Sequence, residues 1–279
     1  PDITISMFNN DAGFITDIKD GSKKILEIHF SKFKRLQYNR KGWWRWVDAW
    51  RTKQDERIAR RFDRFVVLTE EDKANWGDMD NICVIPNANT FSTKQTSLLN
   101  TRKVISIGRY SYQKGFDRLI KAWKTVNRVC PKWTLDIIGE GEEKSKLQSL
   151  IYHENLDGSV RLMPATSDII NVYLGASVVA MSSHYEGLPM VLLEAQSLGL
   201  PIVAFACQCG PKDIISDGET GFLVPEGDVE GLAEKLITVI KDNVLRLSMG
   251  KQAKEASRRY EEEAVMQLWM DIFQTVMKA

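Results

Sequence analysis

Short apolar runs recur at near-even spacing from residue 104 onward, at 104–107, 135–138, 160–163, 178–181, 202–205 and 222–224. Runs of this length with little polar alternation are the mark of strands buried on both faces. Between them, helical spacing covers 116–129, 142–154, 168–173, 190–198 and 229–241. Strand–helix alternation predicts an α/β fold with a doubly wound parallel sheet and right-handed crossovers. Ligands of such sheets sit at the carboxyl ends of the strands. Upstream, 3–7, 25–28, 65–69 and 81–86 read as strands of a second α/β unit, with a long basic helical region between the second and third. Residues 87–102 are polar and aperiodic, as a linker is. Residues 261–278 carry Val265, Leu268, Trp269, Ile272, Phe273 and Val276 on one expected helical stripe. The pattern therefore divides the chain into 1–92, 93–260 and a terminal helix, 261–279.

The chemistry-bearing residues fall at the predicted strand ends. Ser182 and Ser183 leave a strand, and Glu186-Gly187-Leu188-Pro189-Met190 leads into the helix that carries Glu194. Pro189 suits a first helical turn. Gly187 lets a ligand approach the backbone, and the free N–H groups between Leu188 and Val191, Pro189 having none, would face an anion. Two carboxylates beside an anion-binding turn suit a phosphorylated ligand rich in hydroxyls; a capped helix with two solvated acids is the bland alternative. Arg109 and Lys114 flank the turn after the strand at 104–107, where paired cations could hold a diphosphate. Gly139 and Gly141 mark a tight turn lining the same crevice. They lack the third glycine of a dinucleotide fingerprint, which argues against a dehydrogenase.

Composition narrows the classes. With 43% hydrophobic and 27% charged residues, the chain has ordinary globular proportions. It holds no apolar run of 18 residues and no leader pattern, and it starts at Pro1 just before a strand, so a chain truncated at its N-terminus is expected. Four irregularly spaced cysteines and three histidines support neither a disulfide framework nor a zinc site. The net charge of +1 hides a local excess: residues 23–64 hold 14 Lys or Arg against 5 Asp or Glu. Within it, residues 32–51 mix seven cations with Trp43, Trp44, Trp46 and Trp50. Two readings stay open there. One is a helix on a membrane surface; the other is a helix whose tryptophans fill a core while its cations stay solvated. No nucleic-acid fold accompanies these charges, so no nucleic-acid partner is expected.

The motifs together resemble the retaining glycosyltransferases of family 4, which have the GT-B fold. The resemblance rests on Glu186 and Glu194 with the Gly187-Leu188-Pro189 step and the Leu193-Glu194-Ala195 continuation. It extends through Gly199-Leu200-Pro201-Ile202-Val203-Ala204 and Asp217-Gly218-Glu219-Thr220-Gly221-Phe222-Leu223-Val224. Gly210-Pro211-Lys212-Asp213-Ile214-Ile215 looks like the version in polysaccharide and lipopolysaccharide enzymes. The resemblance implies two Rossmann-like domains with parallel sheets, the N-terminal one incomplete here because the family's glycine-rich loop and early N-domain are missing. It implies that Arg109 and Lys114 bind the donor diphosphate in place of a metal, that Glu186 touches the transferred sugar and that Glu194 binds the ribose. The amides of Gly187, Leu188, Pro189–Met190 would hold phosphate or sugar, and the crevice around Gly139, Gly141 and Met163 would receive the base. Leu26-Glu27-Ile28-His29 looks like the strand that brings a histidine to the reacting sugar, with a structural histidine as the other reading. Ile85-Pro86-Asn87 resembles the interdomain entry, with Ala88 where many relatives have glycine.

The expected activity is metal-independent hexosyl transfer with retention from a nucleotide-diphosphate sugar, a UDP-sugar favoured, and without a cofactor. The acceptor is a saccharide or lipid-linked saccharide of surface polysaccharide or lipopolysaccharide synthesis. The expected place is cytoplasmic, with peripheral contact at the inner membrane face. A fragment that binds sugar nucleotide without transferring it is the alternative. Asp78-x-Asp80 follows Trp76-Gly77 and no apolar strand, so it is not read as a metal motif.

Overall fold

The computed structural model describes residues 2–37, 42–89, 91, 93 and 95–278. The contacts divide them into two compact units, Pro1–Ala88 with Tyr260–Ala279, and Asn89–Arg259. In the first unit β1 (Ile3–Ser6), β2 (Lys23–Glu27), β3 (Arg64–Val67) and β4 (Ile82–Val84) form one parallel sheet in the order β1-β2-β3-β4. Its first helices are α1 (Lys34–Gln37), α2 (Trp44–Ala59) and α3 (Glu70–Trp76). The last of these starts where Thr69 accepts the amide of Asp72 at 3.0 Å, a side-chain N-cap that ends the preceding extended segment. Residues 38–41 of the basic aromatic stretch and residues 90, 92 and 94 of the expected linker lie outside the described residues.

The second unit runs β5 (Lys103–Ile107), α4 (Phe116–Val129), β6 (Thr134–Ile138), α5 (Lys144–His153), β7 (Val160–Met163), α6 (Ile169–Leu174), β8 (Val178–Met181), α7 (Met190–Ser197), β9 (Ile202–Phe205), α8 (Pro211–Ile214), β10 (Gly221–Val224), α9 (Val229–Lys241) and α10 (Asn243–Ala256). All neighbouring strands are parallel, in the order β10-β9-β8-β5-β6-β7. The chain winds outward from β5 through β6 to β7, then returns to place β8 on the other side of β5. The loops after β5 and β8 therefore diverge from adjacent strands, which opens a crevice at the reversal.

The core of this unit explains its helices. In α4, Phe116, Leu119, Ile120, Trp123 and Val126 recur at helical spacing, and each is almost fully buried. The sequence pattern missed α10. Its cap is Asp242, which accepts the amide of Leu245 at 2.9 Å, and Arg246 anchors its inner face. That guanidinium is buried, donates to the carbonyls of Val239 and Ile240 at 2.9 Å each, and lies 5.4 Å from the Trp133 ring. It thereby satisfies the carbonyls at the end of α9 that have no partner inside that helix.

The last element, α11 (Glu262–Lys278), belongs to the first unit. Val265, Trp269, Ile272 and Phe273 pack with Ile25, Val66 and Ile85. Leu268, expected on the same stripe, is 40% exposed. The buried set follows a spacing of four and seven residues, which leaves position 268 at the margin.

Candidate functional site

The loop after β5 is fastened to the loop after β6. Tyr110 is fully buried, and its hydroxyl lies 2.7 Å from the carbonyl of Met163 and 2.9 Å from that of Ile137. Burial pushes this phenol up to about 12, so it stays a donor. The Tyr110 amide donates to the Glu140 carbonyl at 2.7 Å. The backbones lie so close that a Cβ on Gly139 would stand 1.9 Å from the Gly108 oxygen, and one on Gly141 2.4 Å from the Tyr110 oxygen. The two glycines are thus required by close approach.

The loop after β8 is fastened to the loop after β5 as firmly. The Ser182 hydroxyl donates to the Lys114 carbonyl at 3.0 Å, and Arg118 donates to the Ser182 carbonyl at 2.6 Å. The His184 amide donates to the Gln113 carbonyl at 2.8 Å, and the Tyr112 and His184 rings stack at 4.2 Å. These contacts bring Lys114 to Glu186. Lys114 Nζ donates to Glu186 Oε1 at 2.8 Å, and Ser183 Oγ donates to the same oxygen at 2.6 Å. Glu186 is only 7% exposed, so loss of Lys114 would leave a buried carboxylate without its cation.

A third loop backs the turn. Glu186 donates its amide to the Gln208 carbonyl at 3.1 Å. Gly210, at φ +96°, lies so near that a Cβ there would meet Pro189 Cδ at 2.3 Å and the Gly187 oxygen at 2.9 Å. Pro189 itself is the N-cap of α7, extended at φ −73° and ψ 95°, and so stands one residue before the helical turn expected for it. Leu188 is buried behind it, while Gly187 and Met190 are half-buried. The first amides of α7 have no acceptor inside the helix.

Glu194 lies one turn into α7. The Tyr173 hydroxyl donates to its Oε2 at 2.7 Å. Burial raises the Glu194 carboxyl above its usual range, and the Tyr173 phenol is pushed well above its own by burial and then by the Glu194 charge. Glu194 and the exposed Arg109 line one crevice of about 480 Å³, with Gly108, Gly139, Thr166 and Val191. Gly141, Met163 and the Lys114–Glu186 pair lie outside that lining; Met163 is half-exposed at the end of β7. Tyr110, Tyr173, Gln113 and Arg118 had no sequence signal, because each acts on a partner distant along the chain, while Ser183, inside the motif, was read only as the end of a strand and not as the partner of Glu186.

His29 follows β2 in the first unit, and its Nε2 lies 3.1 Å from Glu27 Oε1. That hydrogen bond raises its pKa, against the effect of burial. His184 shifts the other way, lowered by burial and then by the Arg118 charge. A histidine raised above 6.5 adds stability that is full below 6.5 and is lost as pH rises through its folded value. A lowered one loses stability as pH falls from 6.5 through its folded value. Imidazole proton NMR titration should therefore find His29 above and His184 below 6.5, and Glu27→Gln should bring His29 back down. Both titrating together would contradict this geometry.

Comparison with known proteins identifies the family and the fold. The model for group 1 glycosyl transferases matches residues 88–256. An uncharacterized glycosyltransferase of Haemophilus influenzae is 35% identical over 214 residues, which is 75% of this chain and 61% of that protein. The amylovoran biosynthesis glycosyltransferase AmsD of Erwinia amylovora is 35% identical over 220 residues, 75% of this chain and 62% of its own. The chain thus spans about three-fifths of the length of these relatives. A crystal structure of a TarM mutant from S. aureus, in complex with Fondaparinux, alpha-GlcNAc-glycerol and UDP, superposes with a TM-score of 0.79. It is 23% identical, with 94% of this chain and 54% of that chain covered. The two parallel α/β sheets are thus those of a GT-B fold, and with the family match over residues 88–256, nearly all of the second unit, this chain belongs to the group 1 glycosyl transferases.

Proposed function

We propose that the chain takes part in moving a sugar, with retention, from a UDP-sugar to a saccharide or lipid-linked acceptor in surface polysaccharide synthesis, at the inner face of a membrane. The observation that carries the reading is the fixed Lys114–Glu186–Ser183 cluster beside the crevice of Arg109 and Glu194. Glu194 would accept the ribose hydroxyls, and the crevice beside Gly139 would receive the base. Arg109 and Lys114 would balance the diphosphate and stabilise its charge as it leaves, the role a metal plays elsewhere. Glu186, held by Lys114 and Ser183, would face the transferred sugar. A donor phosphate oxygen would assist the incoming hydroxyl. The UDP in the TarM complex and the amylovoran role of AmsD support this reading. Because the chain spans only 61% and 62% of those relatives, a part that binds donor without transferring sugar is the second reading.

Calorimetry with UDP, GDP and ADP, in EDTA, tests the donor site. UDP is expected to bind without metal, and Glu194→Ala to weaken it by about tenfold or more, the size of one hydrogen bond to a charged group. Equal binding of all three nucleotides, or an unchanged Glu194→Ala variant, would refute the assignment. Release of UDP from a UDP-sugar then separates transfer from binding alone.

A further inference from the structure

The helix α2 turns a polar stripe inward and an aromatic one outward. Asp48, Thr52, Asp55 and Ala59 are buried. On the opposite side Trp43, Trp46 and Trp50 are 64%, 80% and 59% exposed, and exposed Lys53 and Arg57 continue the same stripe at helical spacing. Among the described residues these tryptophans enter no core: the first unit fills its interior with residues such as Leu26, Phe65, Val67 and Trp76. Along Asp48–Asp55 the inward contacts of α2 are polar, notably the Arg35–Asp55 ion pair, and only at its end do Ile58 and Ala59 join the core. The acids of α2 are all withdrawn. Asp48 and Asp55 are buried, and Glu56 is half-buried and paired with Lys32 at 2.5 Å. Every fully exposed charge on the helix is positive: Arg45, Arg51, Lys53 and Arg57.

We infer that the outward face of α2 docks on the surface of an anionic phospholipid bilayer. Tryptophan prefers the level of the headgroups, where its ring is half apolar and its N–H can stay wet. Lysine and arginine on the same face meet the negative surface potential. Among the described residues no helix is long and apolar enough to cross a membrane, and the inferred contact of α2 is one of surface docking. The face supplies two signals, inserted rings and surface cations, of the kind that stable attachment requires. The inference deepens the proposed membrane-side setting of the reaction and is independent of the transfer chemistry.

Flotation of the chain with phosphatidylglycerol–phosphatidylcholine vesicles, against pure phosphatidylcholine, tests it. Capture by the anionic vesicles alone, relieved by salt, is expected. Lys53→Ala with Arg57→Ala should weaken it about 25-fold, at roughly fivefold per cation. Trp46→Ala with Trp50→Ala should abolish the capture and the accompanying blue shift of tryptophan emission. Circular dichroism and UDP affinity should stay unchanged in both variants. No capture, equal capture by neutral vesicles, or capture that neither double substitution alters would overturn the inference. So would sedimentation showing that a second copy covers these tryptophans, or preferential capture by RNA at the same salt. Because UDP affinity is measured on the same preparations, absent lipid capture with intact UDP binding would sink this inference and leave the donor reading standing.

Discussion

Replacing Lys114 by alanine should lower UDP release from a UDP-sugar by about 100- to 1,000-fold, the effect of deleting one preorganised charge partner from a site where charge develops. Two consequences of the substitution have to be separated. On the proposed reading the ammonium would no longer meet the departing diphosphate, and on any reading Glu186, 7% exposed, would keep only the Ser183 hydroxyl at 2.6 Å. Breaking a buried pair on one side destabilises by roughly 3 kcal/mol or more, whereas replacing both members with apolar residues of similar size is often neutral. The cycle of Lys114→Met, Glu186→Leu and the double variant therefore separates the roles. Folding stability should recover in the double variant while transfer stays lost. Recovery of transfer together with stability would mean that the pair is only structural.

The largest expected effect on folding is at Gly139. Alanine there would set its Cβ 1.9 Å from the Gly108 oxygen, so the loops after β5 and β6 would have to separate. Strain of this kind falls in the upper range for single substitutions, roughly 3 kcal/mol. For a unit of this size that corresponds to a drop in Tm of roughly 6–12 °C. The same displacement opens the crevice that Gly139 and Arg109 line, so UDP affinity should fall as well. Gly158→Ala is the control, since a Cβ there meets nothing within 4 Å and the backbone is not left-handed; it should stay within about 0.5 kcal/mol. Equal thermograms for the two variants would contradict the close approach.

Much of the second unit was legible because its central strands β6, β8 and β9 are buried on both faces. The expected runs at 160–163, 178–181 and 202–205 coincide with β7, β8 and β9, and the loops that follow them hold the chemistry for a topological reason. The legibility fails where long-range contacts decide. In α10 the inward positions are Arg246, Met249, Gly250 and Ala253, a stripe that only the partners of Arg246 make sense of. Gly250 faces Gly199 so closely that a Cβ would meet its oxygen at 2.5 Å. Pro189 looked helical because its φ suits a first turn, but the packing of Gly210 against its ring holds it extended at the cap. The tryptophans of α2 were undecided because a helix of mixed cations and rings has the same spacing whichever face is buried. The acid pair Glu186 and Glu194 was legible as a motif, while the hydroxyls that hold them, on Ser183 and Tyr173, were not. A serine or tyrosine carries no signal until its partner is known.

The division of the chain has a consequence for biosynthesis. The first unit consists of two separated stretches, and the second occupies the interval between them. A ribosome must therefore add about 170 residues between Ala88 and the start of α11, roughly 10–35 s at usual elongation rates of about 5–20 residues per second. During that interval the face made by Ile25, Val66 and Ile85 lacks Val265, Trp269, Ile272 and Phe273. The second unit has its whole sequence first and can close before its neighbour is complete. A nascent chain halted before Tyr260 would display that apolar face to chaperones and to other nascent copies.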